Sequence, residues 1–182
     1  VPYCRLYDWH MVMPAIFAKD LFQGDSETFG YLLSSIGFGG IIGGFVATSA
    51  GKIDRRGLLE LGAMFLLGIS MLGFAASTNI WMAMVFFWLA GFFEMIFIIT
   101  NDTLLHLSIP DDLRGRVNGL ITVSSGLTPL GAMIAGVGVD TLGPRVTTTL
   151  LGGGAAAITI AVFLTSSTIR GYRLSGVFVS ED

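Results

Sequence analysis

The sequence predicts an all-α integral membrane bundle of six helices, five complete spans plus a clipped first helix, and three observations predict it. First, 53% of the 182 residues are hydrophobic and only 13% are charged, against roughly 25% charged in a soluble globular domain. Second, uncharged apolar runs recur at lengths of about 20 residues or more, which is what a helix rising 1.5 Å per residue needs to cross roughly 30 Å of hydrocarbon. Third, most of the 25 glycines lie inside those runs, with no collagen-like period or polar low-complexity tract.

The elements follow in order along the chain. Trp9 to Phe22 is apolar enough for the end of a span, but Arg5, Asp8 and His10 interrupt its start. It reads as the clipped helix, over about 9–22. The opening Val-Pro lacks the basic, apolar, small-residue order of a cleaved signal peptide, so the chain reads as a fragment of something longer. Phe29 to Gly51 carries no charge and predicts a span over about 29–51. The uncharged run Leu61 to Phe93 holds one and a half spans, broken in polarity at Ser77-Thr78-Asn79. A tight turn there separates helices over about 58–77 and 80–105. Val117 to Val139 and Val146 to Ile169 are again uncharged and are divided by the breaker pair Gly143-Pro144. They predict spans over about 116–140 and 146–167, so the bundle fills 1–168 and a tail runs over 169–182.

Lys and Arg in short loops tend to stay cytoplasmic. Lys52, Arg55, Arg56, Arg114, Arg116, Arg170 and Arg173 fall on one side of the five-span path, against Lys19 and Arg145 on the other. That asymmetry favours a cytoplasmic C-terminus.

Two segments share the pattern small-x-x-x-Asp-x-x-Gly, Ala50 to Gly57 and Gly136 to Gly143. Three spans separate them, so they face opposite sides of the membrane, as in three-helix repeats of inverted topology that alternate access around a midplane site. Small residue, Asp and Gly are also common turn formers. Gly39-x-x-x-Gly43 and Gly40-x-x-x-Gly44 both fit close helix packing, and Gly126, Gly131 and Gly136 with Pro129 fit close contact plus a kink.

Several functions are excluded by composition. The net charge is −3 and the basic residues are dispersed, which leaves no stripe for a nucleic-acid backbone. A single cysteine and two distant histidines form neither an internal disulfide nor a Cys-rich metal site. The spans hold no Ser/His/Asp grouping or phosphate loop, so neither an enzyme nor a cofactor is expected.

Met13-Pro14-Ala15-Ile16-Phe17-Ala18-Lys19-Asp20, then Gly30-Tyr31-Leu32-Leu33 and Gly37-Phe38-Gly39-Gly40, resembles helices seven and eight of the major facilitator superfamily. Asp54-Arg55-Arg56-Gly57 resembles its loop signature Gly-x-x-x-Asp-Arg-x-Gly-Arg, with Ala50 for the first Gly and Leu58 for the last basic residue. Ile109-Pro110-Asp111-Asp112-Leu113-Arg114-Gly115-Arg116-Val117-Asn118-Gly119 is similar to the link between helices ten and eleven in the branch with enterobactin and macrolide exporters. Pro129-Leu130-Gly131-Ala132 and Ala135-Gly136 match helix eleven of that branch. The resemblance implies half of a twelve-helix fold, helices seven, in part, through twelve. It also implies a missing N-terminal six-helix half as partner, a substrate cavity between the halves, and commonly a proton gradient as driving force. A bacterial plasma membrane, the inner one, is the implied location.

Ionisable side chains at membrane depth are costly and by default functional. Glu94 lies near the middle of the third complete span, flanked by Phe92, Phe93 and Phe97. It reads as a proton carrier or a contact for a cationic substrate, or else as a structural carboxyl satisfied by Asn, Ser or water on a neighbouring helix. Phe97 and Asn101 share its helix, and Ser34, Ser35, Ser124, Ser125 and Thr128 on neighbours complete the candidate substrate or proton pathway. Serine and threonine, however, often bond their own helix backbone. Asp102 is nearer the cytoplasmic mouth and reads either as a gate with Arg55 or Arg56, or as an i,i+4 partner of His106. Asp54 reads as a cap on the helix beginning near Arg116. Arg114 and Arg116 complete the cytoplasmic gate set, unless they serve as topology anchors. The expected function is secondary active export of small amphipathic molecules such as drugs or siderophores, by proton antiport. The other reading is a membrane binding or assembly subunit that transports nothing.

Overall fold

A computed structural model describes residues 13–21, 24–49, 56–108, 115, 119 and 128–165. Those residues are almost wholly helical and contain no strand. A short α1 (Met13–Ile16) runs into a π-turn (Phe17–Leu21), and is followed by α2 (Ser26–Ser49), α3 (Arg56–Ala76), α4 (Ile80–Ser108), α5 (Thr128–Leu142) and α6 (Pro144–Thr165). Among the described residues, four helices, all but α1 and α5, are long and apolar enough to cross a membrane.

The helices stop where the backbone chemistry makes them stop. After α3 the Ser77 hydroxyl donates to the Phe74 carbonyl at 2.7 Å, and Asn79 caps α4 by accepting the Met82 N–H on Oδ1 at 2.8 Å. Arg145, from the start of α6, donates to the Ser77 carbonyl at 3.1 Å. A cation therefore meets the negative end of α3 and ties α6 to the α3–α4 turn. Between α5 and α6 the chain reverses at Gly143, whose φ is 85°, a left-handed conformation that closes a helix C-terminus. Its N–H reaches the Val139 carbonyl at 2.9 Å. Pro144 then occupies the first turn of α6, where its missing N–H costs nothing.

A Cβ at residue 143 would meet no atom within 4 Å, so a substitution there is penalised by backbone conformation alone. Gly143→Ala is expected to cost about 1–2 kcal/mol, read as a shift in the unfolding midpoint of the purified protein in detergent. An unchanged midpoint would mean that the α5–α6 reversal has another geometry.

Packing is densest along α2–α4, α3–α4 and α3–α6. α2 and α4 touch backbone to backbone: a Cβ on Gly39 or Gly43 would run into the carbonyl oxygens of Trp88 and Phe92, and one on Gly91 into that of Ile36. Lipid tails compete for apolar side chains, so this close approach is what holds the pair together. α3 and α6 use the same device, with Gly68 facing Ala156 and Gly152 facing Met71. The main core fills the space among α1, α2, α3 and α4 with Met13, Phe17, Leu32, Ile36, Leu67, Met71, Phe74, Phe87 and Ala90. Phe17, Phe74 and Phe87 stack in series, with centroids 4.4 and 4.8 Å apart. The Thr148 hydroxyl of α6 donates to the Pro144 carbonyl at 2.8 Å and sits 3.3 Å from the Met13 sulfur, where α1 meets α6. Large apolar side chains such as Phe38, Ile41, Phe45 and Trp81 remain exposed, as a lipid-facing surface requires.

Candidate functional site

α3 and α4 run antiparallel along an apolar seam. Phe74 stacks on Phe87 at one end, and Ala63, Leu59, Ile96 and Phe97 cluster toward the other. That second end is closed by a polar contact. The Asn101 amide Nδ2 donates to Glu60 Oε1 at 2.5 Å, across 41 residues of sequence. Both side chains are half-buried. The bond is charge-assisted when the carboxyl is ionised and so stronger than an amide–amide contact. Measured hydrogen bonds between membrane helices contribute on the order of 0.6–2 kcal/mol.

Glu60 was missed by sequence reasoning because it sits immediately before the uncharged run that begins at Leu61, where a carboxylate looks like an ordinary helix-end charge. The available signal was its place inside the span predicted over about 58–77.

The pathway residues are distributed as follows. Glu94 stands at the centre of α4, fourteen residues from each end, and is half-buried. Helical periodicity puts it on one face with Phe87 and Ala90, both fully buried, and with Phe97 and Asn101. Glu94, Phe97 and Asn101 therefore form one stripe, with Asn101 about 10 Å from Glu94 along the axis. Ser35 is buried on α2, whereas Ser34 is exposed on the side of α2 away from the α4-facing glycines. The structure does not bring Ser34 to the Glu94 stripe. Thr128 is the first residue of α5, and its side chain lies outside the described residues, as do Ser124 and Ser125.

Of the gate residues, Asp102 is exposed on α4, and Arg56 opens α3 with its side chain outside the described residues. Asp54, Arg55, Arg114 and Arg116 lie outside them too, as does the His106 side chain. Several hydroxyls spend their hydrogen bonds on their own helix: Thr103 donates to the Ile99 carbonyl at 2.7 Å and Thr159 to that of Ala155 at 2.8 Å. Two apolar hollows open on the flanks, one along Ile42, Phe45, Val46 and Ser49 and one between Leu61, Phe65 and Phe163. Neither is lined by Glu94 or Asn101. Among the described residues no three His, Cys, Asp or Glu side chains converge as a metal site would require.

The chain is similar to the Staphyloferrin A transporter of Staphylococcus aureus (strain NCTC 8325 / PS 47), at 26% identity over 164 residues, which cover 90% of this chain and 41% of that protein. It thus spans about two fifths of the length of this relative. No solved structure matches it. With spans joined by short turns, a carboxylate at mid-helix, and a match to the Major Facilitator Superfamily over residues 4–175, the chain belongs to that superfamily, whose members are membrane transporters and not enzymes.

Proposed function

We propose that the chain is the C-terminal six-helix half of a twelve-helix secondary active transporter, which exports small amphipathic molecules of the siderophore class and is driven by protons. The observation that carries this reading is the similarity to a staphyloferrin A transporter along 90% of the chain. The resemblance of Ile109 to Gly119 and of Pro129 to Gly136 to the enterobactin and macrolide exporter branch supports the same direction of transport. Coupling is assigned to Glu94, the carboxyl at the centre of α4, because a group that gains and loses charge at membrane depth biases which side its helix opens to. The missing N-terminal half supplies the other wall of the cavity. Asp54, Arg55, Arg56, Asp102, Arg114 and Arg116 close its cytoplasmic mouth. The seven-to-two distribution of basic residues supports a cytoplasmic C-terminus in a bacterial inner membrane.

The test is flux through the product of the complete reading frame, reconstituted in proteoliposomes with staphyloferrin A or an amphipathic dye as probe. An imposed pH gradient is expected to drive accumulation, and a protonophore to abolish it. Accumulation indifferent to the gradient overturns proton coupling. Binding without flux overturns transport and leaves a membrane binding subunit.

A further inference from the structure

We propose that the groove between α3 and α6 is a binding site for an anionic membrane phospholipid, with an acyl chain in the groove and the phosphate headgroup at the start of α3.

The groove exists because α3 and α6 meet closely at one level and part at another. A Cβ on Gly68 would stand 3.0 Å from the Ala156 Cβ, and one on Gly152 3.0 Å from the Met71 Cβ. Nearer the start of α3 that contact is lost, and a Cβ on Gly62 would meet nothing within 4 Å. A hollow of about 280 Å³ opens there, lined by Leu61, Gly62 and Phe65 of α3 and by Thr159, Ile160 and Phe163 of α6. The Thr159 hydroxyl donates to the Ala155 carbonyl at 2.8 Å, so the lining side chains offer an occupant apolar surface. Leu66, Ile160, Phe163 and Leu164 are exposed around it, which turns the groove toward lipid. From Leu58 to Phe65 it runs about 10 Å along the helix axis. That is roughly the outer third of a 30 Å hydrocarbon layer, the level at which an acyl chain leaves its headgroup.

Charge selects the headgroup. Arg145 at the start of α6 bonds the Ser77 carbonyl just past the end of α3, so the two helices are antiparallel. The start of α3 and the end of α6 therefore share one membrane face. Arg56 opens α3, and the eight residues before α3 and the eight after α6 carry Lys52, Arg55, Arg170 and Arg173 against Asp54. Glu60, the next acid along α3, is bonded to Asn101 of α4 and does not line the groove. The free N–H groups of the first turn of α3 add the positive end of a helix dipole. Basic residues at the ends of two membrane helices, above an apolar groove between them, suit an anionic phospholipid.

The experiment uses the product of the complete reading frame, reconstituted in vesicles of equal phosphatidylglycerol and phosphatidylcholine and extracted into an uncharged detergent. Native mass spectrometry reads the phospholipid that stays bound. The parent is expected to retain phosphatidylglycerol over phosphatidylcholine by about fivefold or more, the scale of one basic residue beside an anionic surface. Gly62→Phe puts a ring in the groove and is expected to lose the bound lipid. Gly62→Ala, whose Cβ meets nothing within 4 Å, is expected to retain it as the parent does. Arg56→Gln is expected to lower the preference for phosphatidylglycerol and to leave phosphatidylcholine retention unchanged. Ile160→Ala removes part of the exposed rim without filling the groove and is expected to lower retention; it carries the test if Gly62→Phe does not fold. Equal retention of the two lipids by the parent overturns the anionic site. Retention equal to the parent's in Ile160→Ala, or in a folded Gly62→Phe, leaves only lipid held around the whole bundle and overturns the groove as its place. A second copy seated in the groove gives a lipid-free dimer that Gly62→Phe dissociates, which also overturns the proposal. None of these readouts depends on transport, so they stand or fall apart from proton-coupled export.

Discussion

Gly43→Val is expected to be among the most damaging single substitutions for stability in the described bundle, costing about 3 kcal/mol or more, at the upper end of what overpacking ordinarily costs. The reason is what the new side chain meets. A Cβ on Gly43 collides with the carbonyl oxygen of Phe92, and one on Gly39 with that of Trp88. These are backbone atoms inside a continuous helix, so no rotamer change relieves the clash. α2 and α4 must move apart, and their separation forfeits contact along both helices, including Ile36 against Gly91. Gly44→Ala is the control for adding a Cβ to the neighbouring face of α2. Its Cβ would stand 3.6 Å from Met95 Cγ and 3.8 Å from Ile99 Cδ1, ordinary van der Waals contact, so its effect is expected to stay within about 0.5 kcal/mol. Denaturing-detergent titration of the two variants beside the parent measures the difference. Equal midpoints for both would show that α2 and α4 do not meet through this face.

That contrast also locates the limit of what the sequence makes legible. Gly39-x-x-x-Gly43 and Gly40-x-x-x-Gly44 are equivalent as strings, yet one residue is a 100° rotation about the helix. Only on the first pair would a Cβ collide with backbone atoms; on the second it would stand at ordinary contact distance, from Met95 and the Gly91 carbonyl at Gly40 and from Met95 and Ile99 at Gly44. Which face of α2 turns to α4 depends on the partner helix, and the string of α2 alone does not contain it. Helices themselves are easier to see, because lipid leaves the backbone no hydrogen-bond partner outside its own helix and so demands long uncharged runs. The helix ends were legible for a similar reason. α3 ends at Ala76 and α4 begins at Ile80, around the polar Ser77-Thr78-Asn79, and α5 gives way to α6 at Gly143-Pro144.

The candidate site residues are picked out of the sequence one at a time. Glu94 is conspicuous because it interrupts an uncharged run between aromatics in the sequence, whereas Glu60 is hidden at the edge of an apolar run. Its meaning comes from Asn101, 41 residues away, through an antiparallel register that no local pattern encodes. Asn101 in turn is held by α3, which the α4 sequence alone does not reveal.

Under the proton-coupled export proposed above, Glu94→Gln is expected to reduce gradient-driven flux through the complete transporter about 100-fold or more, the scale on which removing a proton-transfer group acts. Glu94 is at the midpoint of α4 and shares its register with Phe87 and Ala90, which are fully buried toward the bundle. A charged side chain at membrane depth is costly and a neutral one much less so. The proton therefore changes the relative free energy of burying this face and of opening it to water, which is what coupling requires: a ligand shifts an equilibrium only by its differential affinity for the two states. Gln matches the size and hydrogen-bonding shape of the protonated acid and holds the site permanently in that form. Substrate exchange down no gradient needs the helices to move but needs no proton to leave, so counterflow is expected to persist while accumulation against a gradient is lost. Driven flux equal to the parent would remove Glu94 from the coupling path. Loss of counterflow together with driven flux would instead make it a substrate contact, and Glu94→Asp then decides between the two, since a shortened carboxyl still titrates but no longer reaches the same substrate atom.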